Sequence, residues 1–504
     1  MIRLLVVATF FLTGTFTRAQ KKYEPTWESI DSRPIPQWFQ DAKFGIFIHW
    51  GVYSVPSYMH INREGSVYDC YAEWYEVTAM TKPGINRDFH NRVYGKNFAY
   101  RDFAPMFKAA VWQPEKWAHL FKDAGAKYVI LTSKHHDGFA LWPTGDPYSK
   151  NWNSMEVGPK RDLVGELSKA VRKEGLKMGL YYSLMEWEST PVATSDGSIK
   201  YYLPDEIISK YKIPGDKMIS DHIIPQMKDL VQRYHPSILY PDGDWDEDDA
   251  RLQSKEFLSW LYNNAPNRNE VVVNDRWGKV RGRHGGYYTR EYSDKDLDTD
   301  HPWEEVQGMG YSFGFNRDED INDYRSSEEL IHLLVNTVGM GGNLCLNVGP
   351  MADGTMPGIM EQRLKDIGSW LAINGDGIYG TKAWRNPAEK KQLTKAIKLE
   401  KKDKEKQTAS EAASTRNERK IFYTIKGTDL FVLTTQWPVN GILIKGLNFS
   451  KDIKVELLGF KKNIAYENKS GAVLIRPPVV SPADFFVKHA YVFKVNGGAK
   501  SIKN

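Results

Sequence analysis

The chain has 504 residues, a length that fits one large domain followed by a small one. Hydrophobic residues make up 41% of it and charged residues 26%, a composition typical of soluble globular proteins that excludes a disordered or membrane-embedded chain. The net charge of +5 resides in one segment, because Lys and Arg outnumber Asp and Glu by 11 to 6 between Glu389 and Lys420. The neutral remainder argues against nucleic acid as a partner.

Residues 1–19 have the pattern of an export signal. Arg3 precedes an apolar stretch at 4–16, and Thr17, Arg18 and Ala19 resemble a cleavage site. The apolar stretch is too short to span a membrane, and Gln20, not a cysteine, follows the expected cut. The sequence therefore predicts export to the periplasm or the cell exterior (the lysosome in a eukaryote), without a membrane anchor.

Between residues 20 and 384, short apolar strands alternate with amphipathic helices. The predicted strands cover 44–50, 128–133, 177–183, 238–241, 270–275 and 343–348. The predicted helices cover 114–124, 162–174, 220–234, 254–264, 328–338 and 357–373. This alternation indicates a parallel sheet covered by helices. Because no glycine-rich phosphate turn follows the first strand, a closed (β/α)8 barrel of the TIM type fits better than a dinucleotide-binding fold.

The composition changes after residue 384. Residues 385–420 are rich in Lys and Glu and predict a charged insertion or linker. Short strands separated by turn residues follow at 420–423, 429–434, 441–444, 453–458, 472–475 and 490–494. They predict a small β-sandwich domain over 421–504. Cys70 and Cys345 are too few for a disulfide framework, and we expect both to be free and buried.

Polar side chains stand where five of the predicted barrel strands end. They are His49 and Trp50; His135, His136 and Asp137; Tyr181, Tyr182 and Trp187; Asp242, Asp244 and Trp245; and Asn274, Asp275 and Arg276. The carboxyl ends of barrel strands meet at one face, and that face carries the active sites of such barrels. The five motifs therefore predict a single site.

Other kinds of site fit the sequence less well. The adjacent His135 and His136 point to opposite sides of an extended strand, which disfavours a shared metal ion. The DGDWDEDD segment at 242–249 resembles a calcium loop, but Glu247 and Gln253 stand where such a loop has its glycine and its last glutamate. We find no G-x-S-x-G motif and no P-loop, and we expect neither a metal nor a cofactor.

A pair of carboxyl groups accounts for the pattern better. Glycoside hydrolysis needs one carboxylate and one carboxylic acid on either side of the scissile bond. Neutral His, Tyr and Arg then bind sugar hydroxyls, and Trp rings stack on the apolar faces of sugars. Seven of the 16 Trp residues fall within or beside the strand-end motifs: Trp50, Trp74, Trp142, Trp187, Trp245, Trp277 and Trp303. We therefore expect many of these rings to surround a sugar pocket.

Taken together, the motifs resemble those of the α-L-fucosidases of glycoside hydrolase family 29. The matching segments are FGIFIHWG (44–51), AEWY (72–75), KHHDGFALW (134–142), GLYYSLMEW (179–187), YPDGDWD (240–246), VNDRWG (273–278), YTREY (288–292) and GNLCLNVGP (342–350). The resemblance implies a barrel followed by a β-sandwich. It also implies a retaining exo-α-L-fucosidase, which releases L-fucose from fucosylated oligosaccharides or glycoconjugates by double displacement through a covalent fucosyl-enzyme.

The resemblance also assigns the catalytic pair. It implies that Asp242 is the nucleophile, with Asp244, two residues further into the loop, as the nearer rival. The acid/base varies in position within the family. The segment after N-D-R-W points to Glu291, and Glu304 and Glu305 in HPWEEV are the alternatives. A retaining mechanism requires the two carboxyl groups to be about 5–5.5 Å apart.

Substrate-binding positions follow from the same comparison of motifs. Residues implied to contact fucose or to shape its pocket are His49, Glu73, Trp74, His135, His136, Tyr181 and Arg276. Tyr181 is chosen over Tyr182 because alternation along a strand points only one of the two rings inward. Phe313 stands where the family often has an aromatic residue near the fucose methyl group, with S-F-G in place of the usual S-W-G.

Two other functions remain open at this stage. One is a barrel glycosidase acting on a related sugar such as galactose, and the other is a fucose-binding protein without catalysis. The presence of Asp242 and of the acid/base candidates argues against the second. The fucosyl linkage, the aglycone and the oligomeric state, a homo-oligomer included, are not determined by the sequence.

Overall fold

The computed structural model describes residues 21–193, 199–292, 301–384, 421–447, 449, 453–481, 483 and 485–501. The expected export signal at 1–19 and the charged segment at 385–420 lie outside the described residues, so both stay predictions. None of the helices in the described ranges combines enough length and apolarity to cross a membrane. Both cysteines are free and buried, as we expected.

Eight parallel strands form the sheet of the large domain. They are β1 (Phe44–Ile48), β2 (Tyr128–Lys134), β3 (Lys177–Ser183), β4 (Ile238–Asp242), β5 (Val272–Val273), β6 (Tyr288–Glu291), β7 (Trp303–Gly308) and β8 (Asn343–Val348). Their order in the sheet is β5-β4-β3-β2-β1-β8-β7-β6, so β1 pairs with β8. A parallel bridge between Asn274 and Tyr287 joins the two edge strands. The predicted TIM-like barrel is confirmed.

Three strands differ from the sequence-based expectation. β5 covers two residues of the predicted 270–275, and β6 and β7 were not predicted as strands. β6 is only partly buried, and β7 contains the adjacent Glu304 and Glu305. Polar residues interrupt the apolar pattern by which strands are recognised. β6 carries Glu291, and β7 carries Glu304 and Glu305, which are the three acid/base candidates. The polar residues that point to a site are therefore the same residues that kept these strands from being predicted.

Helices connect the strands and cover the outside of the barrel. In the described residues they are α1 (Trp27–Asp31), α2 (Gln37–Ala42), α3 (Tyr75–Thr81), α4 (Ile85–Val93), α5 (Pro114–Asp123), α6 (Leu163–Lys173), α7 (Asp205–Tyr211), α8 (Ile224–Tyr234), α9 (Ser254–Asn264), α10 (Ser327–Gly339) and α11 (Gly358–Asn374). The six predicted helices are observed as α5, α6 and α8–α11. Side-chain caps explain the starts of two of them: Asp162 accepts a hydrogen bond from the backbone of α6, and Ser326 and Glu329 form a capping box at α10.

The C-terminal domain consists of antiparallel strands in two sheets. The strands are β9 (Lys382–Ala383), β10 (Ile421–Lys426), β11 (Asp429–Thr434), β12 (Ile442–Lys445), β13 (Val455–Leu457), β14 (Ala465–Lys469), β15 (Ala472–Arg476) and β16 (Tyr491–Val495). One sheet has the order β9-β10-β11-β16-β13 and the other β12-β15-β14. Both sheets contribute apolar side chains to one buried cluster, as in a small sandwich. β14 was not predicted, because its side chains are mostly exposed and polar.

Candidate active site

A cavity of about 1090 Å³ opens at the carboxyl ends of the barrel strands. The ten residues predicted as the catalytic pair or as substrate contacts all line it: His49, Glu73, Trp74, His135, His136, Tyr181, Asp242, Arg276, Glu291 and Phe313. They lie at or just beyond the ends of six barrel strands and on two segments outside those strands, at 72–74 and 313. The closure of the barrel therefore brings together side chains that lie far apart in the chain.

Arg276 links the two carboxylates at the centre of the cavity. Its Nη1 donates to Oδ1 of Asp242 at 2.5 Å, and its Nη2 donates to Oε1 of Glu291. Its Nε donates to Oγ1 of Thr289 at 3.0 Å, which fixes the plane of the guanidinium. Two carboxyl groups on the two Nη atoms of one guanidinium are necessarily close neighbours. A retaining glycosidase requires its two carboxyl groups to be about 5–5.5 Å apart, and two groups bound to one guanidinium are compatible with that spacing.

Asp242 is surrounded by cationic and hydrogen-bonding groups. The hydroxyl of Tyr181 donates to its Oδ2 at 3.0 Å, and Nε2 of His136 lies 3.7 Å from the same oxygen. Nη2 of Arg281 lies 3.6 Å from its Oδ1. Burial by itself would raise the pKa of Asp242, but the nearby charges, Arg276 foremost, outweigh burial and hold that pKa well below its usual range. Asp242 is therefore ionised at neutral pH, the state that a nucleophile needs.

The two tyrosines of β3 face opposite sides of the sheet. Tyr181 lines the cavity and bonds to Asp242, whereas the hydroxyl of Tyr182 donates to Oε1 of Gln226 on α8 at 2.8 Å. The alternation of side chains along an extended strand produces this arrangement. The structure thus places the ring chosen from the sequence at the site.

Three buried imidazoles form one side of the cavity. Burial lowers the pKa of His49 and of His136 to about 4, and it lowers that of His135 well below its ordinary value. Nδ1 of His49 is 2.6 Å from Oδ1 of Asn347, and Nδ1 of His136 is 2.6 Å from Oγ of Ser183. All three rings are therefore neutral at neutral pH, and a neutral imidazole can donate to or accept from a hydroxyl group.

The remaining wall combines a buried acid with aromatic rings. Oε2 of Glu73 accepts from the backbone N–H of Gly314 at 2.8 Å, and burial raises the pKa of Glu73 to about 7. Phe313 stacks on His49 with ring centres 4.9 Å apart. Trp74 is half-buried and lies parallel to Trp245 at 6.4 Å. The site thus offers both polar groups and flat apolar surfaces.

The rival carboxylates lie away from the cavity. Asp244 is fully buried and pairs with Arg281, whose Nε is 3.1 Å from its Oδ1. Glu304 is buried inside the barrel, where the hydroxyls of Tyr128 and Tyr287 donate to it at 2.5 and 3.3 Å. Glu305 follows on the opposite face of β7 and accepts from Nε2 of Gln307 at 2.6 Å. Among the acid/base candidates, only Glu291 lines the cavity.

The environment of Glu304 predicts how pH affects stability. Burial raises its pKa from 4.5 to about 8, so the folded protein keeps this proton while the unfolded chain releases it. The free energy of unfolding therefore loses a contribution as the pH rises from 4.5 towards 8. We therefore expect Glu304→Gln to become more stable relative to the original protein when the pH rises from about 5 to about 8. The measurement is the Tm of the variant minus the Tm of the original protein at each of the two pH values.

The control for this experiment is Glu115→Gln, which changes an exposed glutamate of α5. A Tm difference between Glu304→Gln and the original protein that is the same at both pH values would contradict the expectation.

Sequence reasoning missed several residues of the cavity. Tyr240 lies beneath the guanidinium of Arg276, with 5.3 Å between the ring centre and Cζ. It stands two residues before Asp242 on β4, so alternation was a sufficient signal. Tyr71 and Arg281 also line the cavity, but both lie outside the barrel strands, and no periodic pattern marks them. Residues on connecting segments are placed by tertiary contacts rather than by local sequence.

The tryptophans are mostly structural. Of the seven in the strand-end motifs, Trp74 and Trp245 line the cavity. Trp50, by contrast, packs in a buried cluster with Phe107 and Trp112, and its Nε1 donates to the carbonyl of Met351 at 2.8 Å. The expectation that many of these rings surround the pocket therefore holds for two of them.

Comparison with known families gives the same result for both domains. A family model described as alpha-L-fucosidase matches residues 11–376, and a model described as the alpha-L-fucosidase C-terminal domain matches residues 414–496. The two matches together span most of the chain, including every residue that lines the cavity.

Individual relatives cover nearly the whole chain. The tissue alpha-L-fucosidase of Homo sapiens is 39% identical over 491 residues, which is 95% of this chain and 93% of that protein. The alpha-L-fucosidase of Dictyostelium discoideum is 36% identical over 510 residues, 98% of this chain and 99% of that protein. The crystal structure of Thermotoga maritima alpha-fucosidase in complex with fucose has a TM-score of 0.73 at 35% identity, covering 94% of this chain and 100% of that one.

Proposed function

Because this chain belongs to the α-L-fucosidase family of glycoside hydrolases, we propose that it is a retaining exo-α-L-fucosidase acting on fucosylated oligosaccharides or glycoconjugates. The observation that carries this proposal is the pairing of Asp242 and Glu291 on a single guanidinium. Both carboxyl groups line one cavity, which supports a double displacement by a nucleophile and an acid/base. No cofactor takes part in the proposed reaction.

Asp242 is the nucleophile in this proposal. Its ionised carboxylate attacks the anomeric carbon of the fucosyl group, and the bond to the leaving oxygen breaks while the fucosyl-enzyme ester forms. Arg276 and Tyr181 both bond to this carboxylate and fix its direction of attack. Water then attacks the same carbon, the ester bond breaks, and fucose leaves with its original anomeric configuration.

Glu291 is the acid and then the base. It gives its proton to the leaving oxygen in the first step and takes a proton from water in the second. The two carboxyl groups share one guanidinium, but Asp242 also lies near Arg281 and His136. The guanidinium of Arg281 gives Asp242 a second cationic neighbour, so Asp242 stays ionised and serves as the nucleophile.

The other cavity residues hold the sugar. The neutral rings of His49, His135 and His136 and the carboxyl of Glu73 are buried partners for ring hydroxyls. His135 lines the cavity, and its imidazole Nδ1 is buried without a hydrogen-bond partner among the described residues. Trp74 offers a flat apolar face, and Phe313 offers one to the methyl group of fucose.

The first experiment follows the anomer that is released. We expect ¹H NMR of early hydrolysis of an aryl α-L-fucoside to show α-L-fucose before mutarotation produces the β form. Early β-L-fucose would contradict a retaining mechanism, and no release at all would favour a protein that binds fucose without catalysis. An equal or faster reaction with the matching L-galactoside would contradict fucose as the preferred sugar.

The setting of the enzyme is part of the proposal. We propose that residues 1–19 direct export and are removed, which places the enzyme in the periplasm, outside the cell or in the lysosome of a eukaryote. We also propose the domain division expected from the sequence, with the barrel at 20–384, a charged linker at 385–420 and the β-sandwich at 421–504, whose sheet β9 at 382–383 joins.

A further inference from the structure

The cavity is larger than one monosaccharide. Its volume of about 1090 Å³ lies at the upper end of the range that holds a drug-sized ligand. The groups assigned to fucose occupy its inner part, whereas an outer wall is formed by Tyr68 and by Thr78, Lys82, Pro83, Ile85 and Asn86 of the segment around α3 and α4. The outer part therefore has room for the sugar to which fucose is attached.

Tyr68 stands on the side of the cavity where the leaving group departs. Its hydroxyl donates to the carbonyl oxygen of Glu291 at 3.4 Å, so it lies beside the acid/base rather than beside the nucleophile. The edge of its ring contacts Tyr71 at 5.8 Å, and Tyr71 in turn contacts Phe313. Tyr68 is nevertheless 55% exposed, so much of its side chain is accessible on the cavity wall.

Two polar side chains of the outer wall already have hydrogen-bond partners. Oγ1 of Thr78 donates to the carbonyl of Trp74 at 2.9 Å, and Oδ1 of Asn86 accepts from the backbone of His60 at 2.9 Å. Ile85, by contrast, is 51% exposed. The exposed phenol ring of Tyr68 fits the C–H face of a pyranose, to which flat aromatic rings bind.

We propose that Tyr68 is the stacking platform for the leaving-group sugar and determines the preference for oligosaccharide substrates. The inference rests on the proposed function, because it takes Glu291 as the group beside the departing oxygen. A platform that contacts the face of a sugar discriminates weakly between hydroxyl patterns, whereas a site that hydrogen-bonds each hydroxyl discriminates strongly. The outer subsite therefore accepts more than one fucosyl linkage.

The test compares a substrate that has a leaving-group sugar with one that has none. We expect Tyr68→Ala to lower kcat/KM on 2′-fucosyllactose by about tenfold and to leave kcat/KM on α-L-fucosyl fluoride within about twofold. Tyr68→Phe keeps the ring and retains kcat/KM on both. We expect Tyr68→Ala to lower kcat/KM on 3-fucosyllactose by a similar factor, because the ring contacts the face of the sugar and not its individual hydroxyl groups. The matched control is Tyr148→Ala, which removes a 39% exposed tyrosine that does not line the cavity.

The outcomes separate this inference from the proposed function. Equal losses on both substrates would overturn it, because they would make Tyr68 a support for Glu291. Unchanged kcat/KM of Tyr68→Ala on the oligosaccharides would overturn it as well. If the original protein does not hydrolyse fucosyl fluoride, the proposed function fails and the inference falls with it. Hydrolysis of α-L-fucosyl fluoride by Tyr68→Ala also shows that this variant is folded.

Discussion

Replacing Asp242 by glycine is expected to lower kcat on an aryl α-L-fucoside by about 10⁴-fold or more. The carboxylate is the only group of the proposed pair that forms a bond to the anomeric carbon, so its loss removes the covalent intermediate. Arg276 keeps Glu291 as a partner, and the rest of the cavity is unchanged. Binding of fucose should therefore be retained while turnover is lost, and inhibition by free fucose measures that binding.

Azide provides the decisive part of this experiment. In Asp242→Gly, azide enters the space left by the carboxylate and attacks the same carbon, so activity returns in part and the product is β-L-fucosyl azide. Asp244→Gly is the matched control, since Asp244 pairs with Arg281 and does not line the cavity. Recovery by azide in Asp244→Gly, and none in Asp242→Gly, would make Asp244 the nucleophile.

The second large effect is expected for Glu291→Gln, and it depends on the leaving group. We expect kcat/KM on 2′-fucosyllactose to fall by about 10³-fold, because the departing sugar oxygen needs a proton. On α-L-fucosyl fluoride, kcat/KM should change little, since fluoride leaves without a proton and kcat/KM reports only the first step. Glutamine keeps an oxygen that can accept from Arg276, so the variant removes the titrating group with little change of shape.

Glu304→Gln is the control for this prediction. Glu304 accepts hydrogen bonds from Tyr128 and Tyr287 inside the barrel and does not line the cavity. We therefore expect Glu304→Gln to lower kcat/KM only slightly and by a similar factor on the two substrates. If Glu304→Gln instead shows the dependence on leaving group and Glu291→Gln does not, the acid/base assignment is wrong. The same comparison with Glu305→Gln tests the third candidate.

The sequence was a good guide wherever local pattern governs structure. Apolar runs marked five barrel strands closely, and the amphipathic pattern marked six helices that are observed. The pattern failed at β6 and β7, where polar residues replace the apolar alternation. Alternation predicted that only one of Tyr181 and Tyr182 points inward, and the structure places Tyr181 at the cavity and Tyr182 against Gln226 of α8.

The sequence by itself determined the fold class, the family resemblance and the set of polar residues at the strand ends. The tertiary structure alone decided which of them meet. Glu291, Glu304 and Glu305 lie close together in the chain, yet one lines the cavity, one is inside the barrel and one faces away from it. Glu73 and Gly314 are far apart in the chain, yet bond at 2.8 Å. The physical reason is that strand pairing sets which side chains of different strands lie at the same height, and this pairing is not specified by the neighbours of a residue in the sequence.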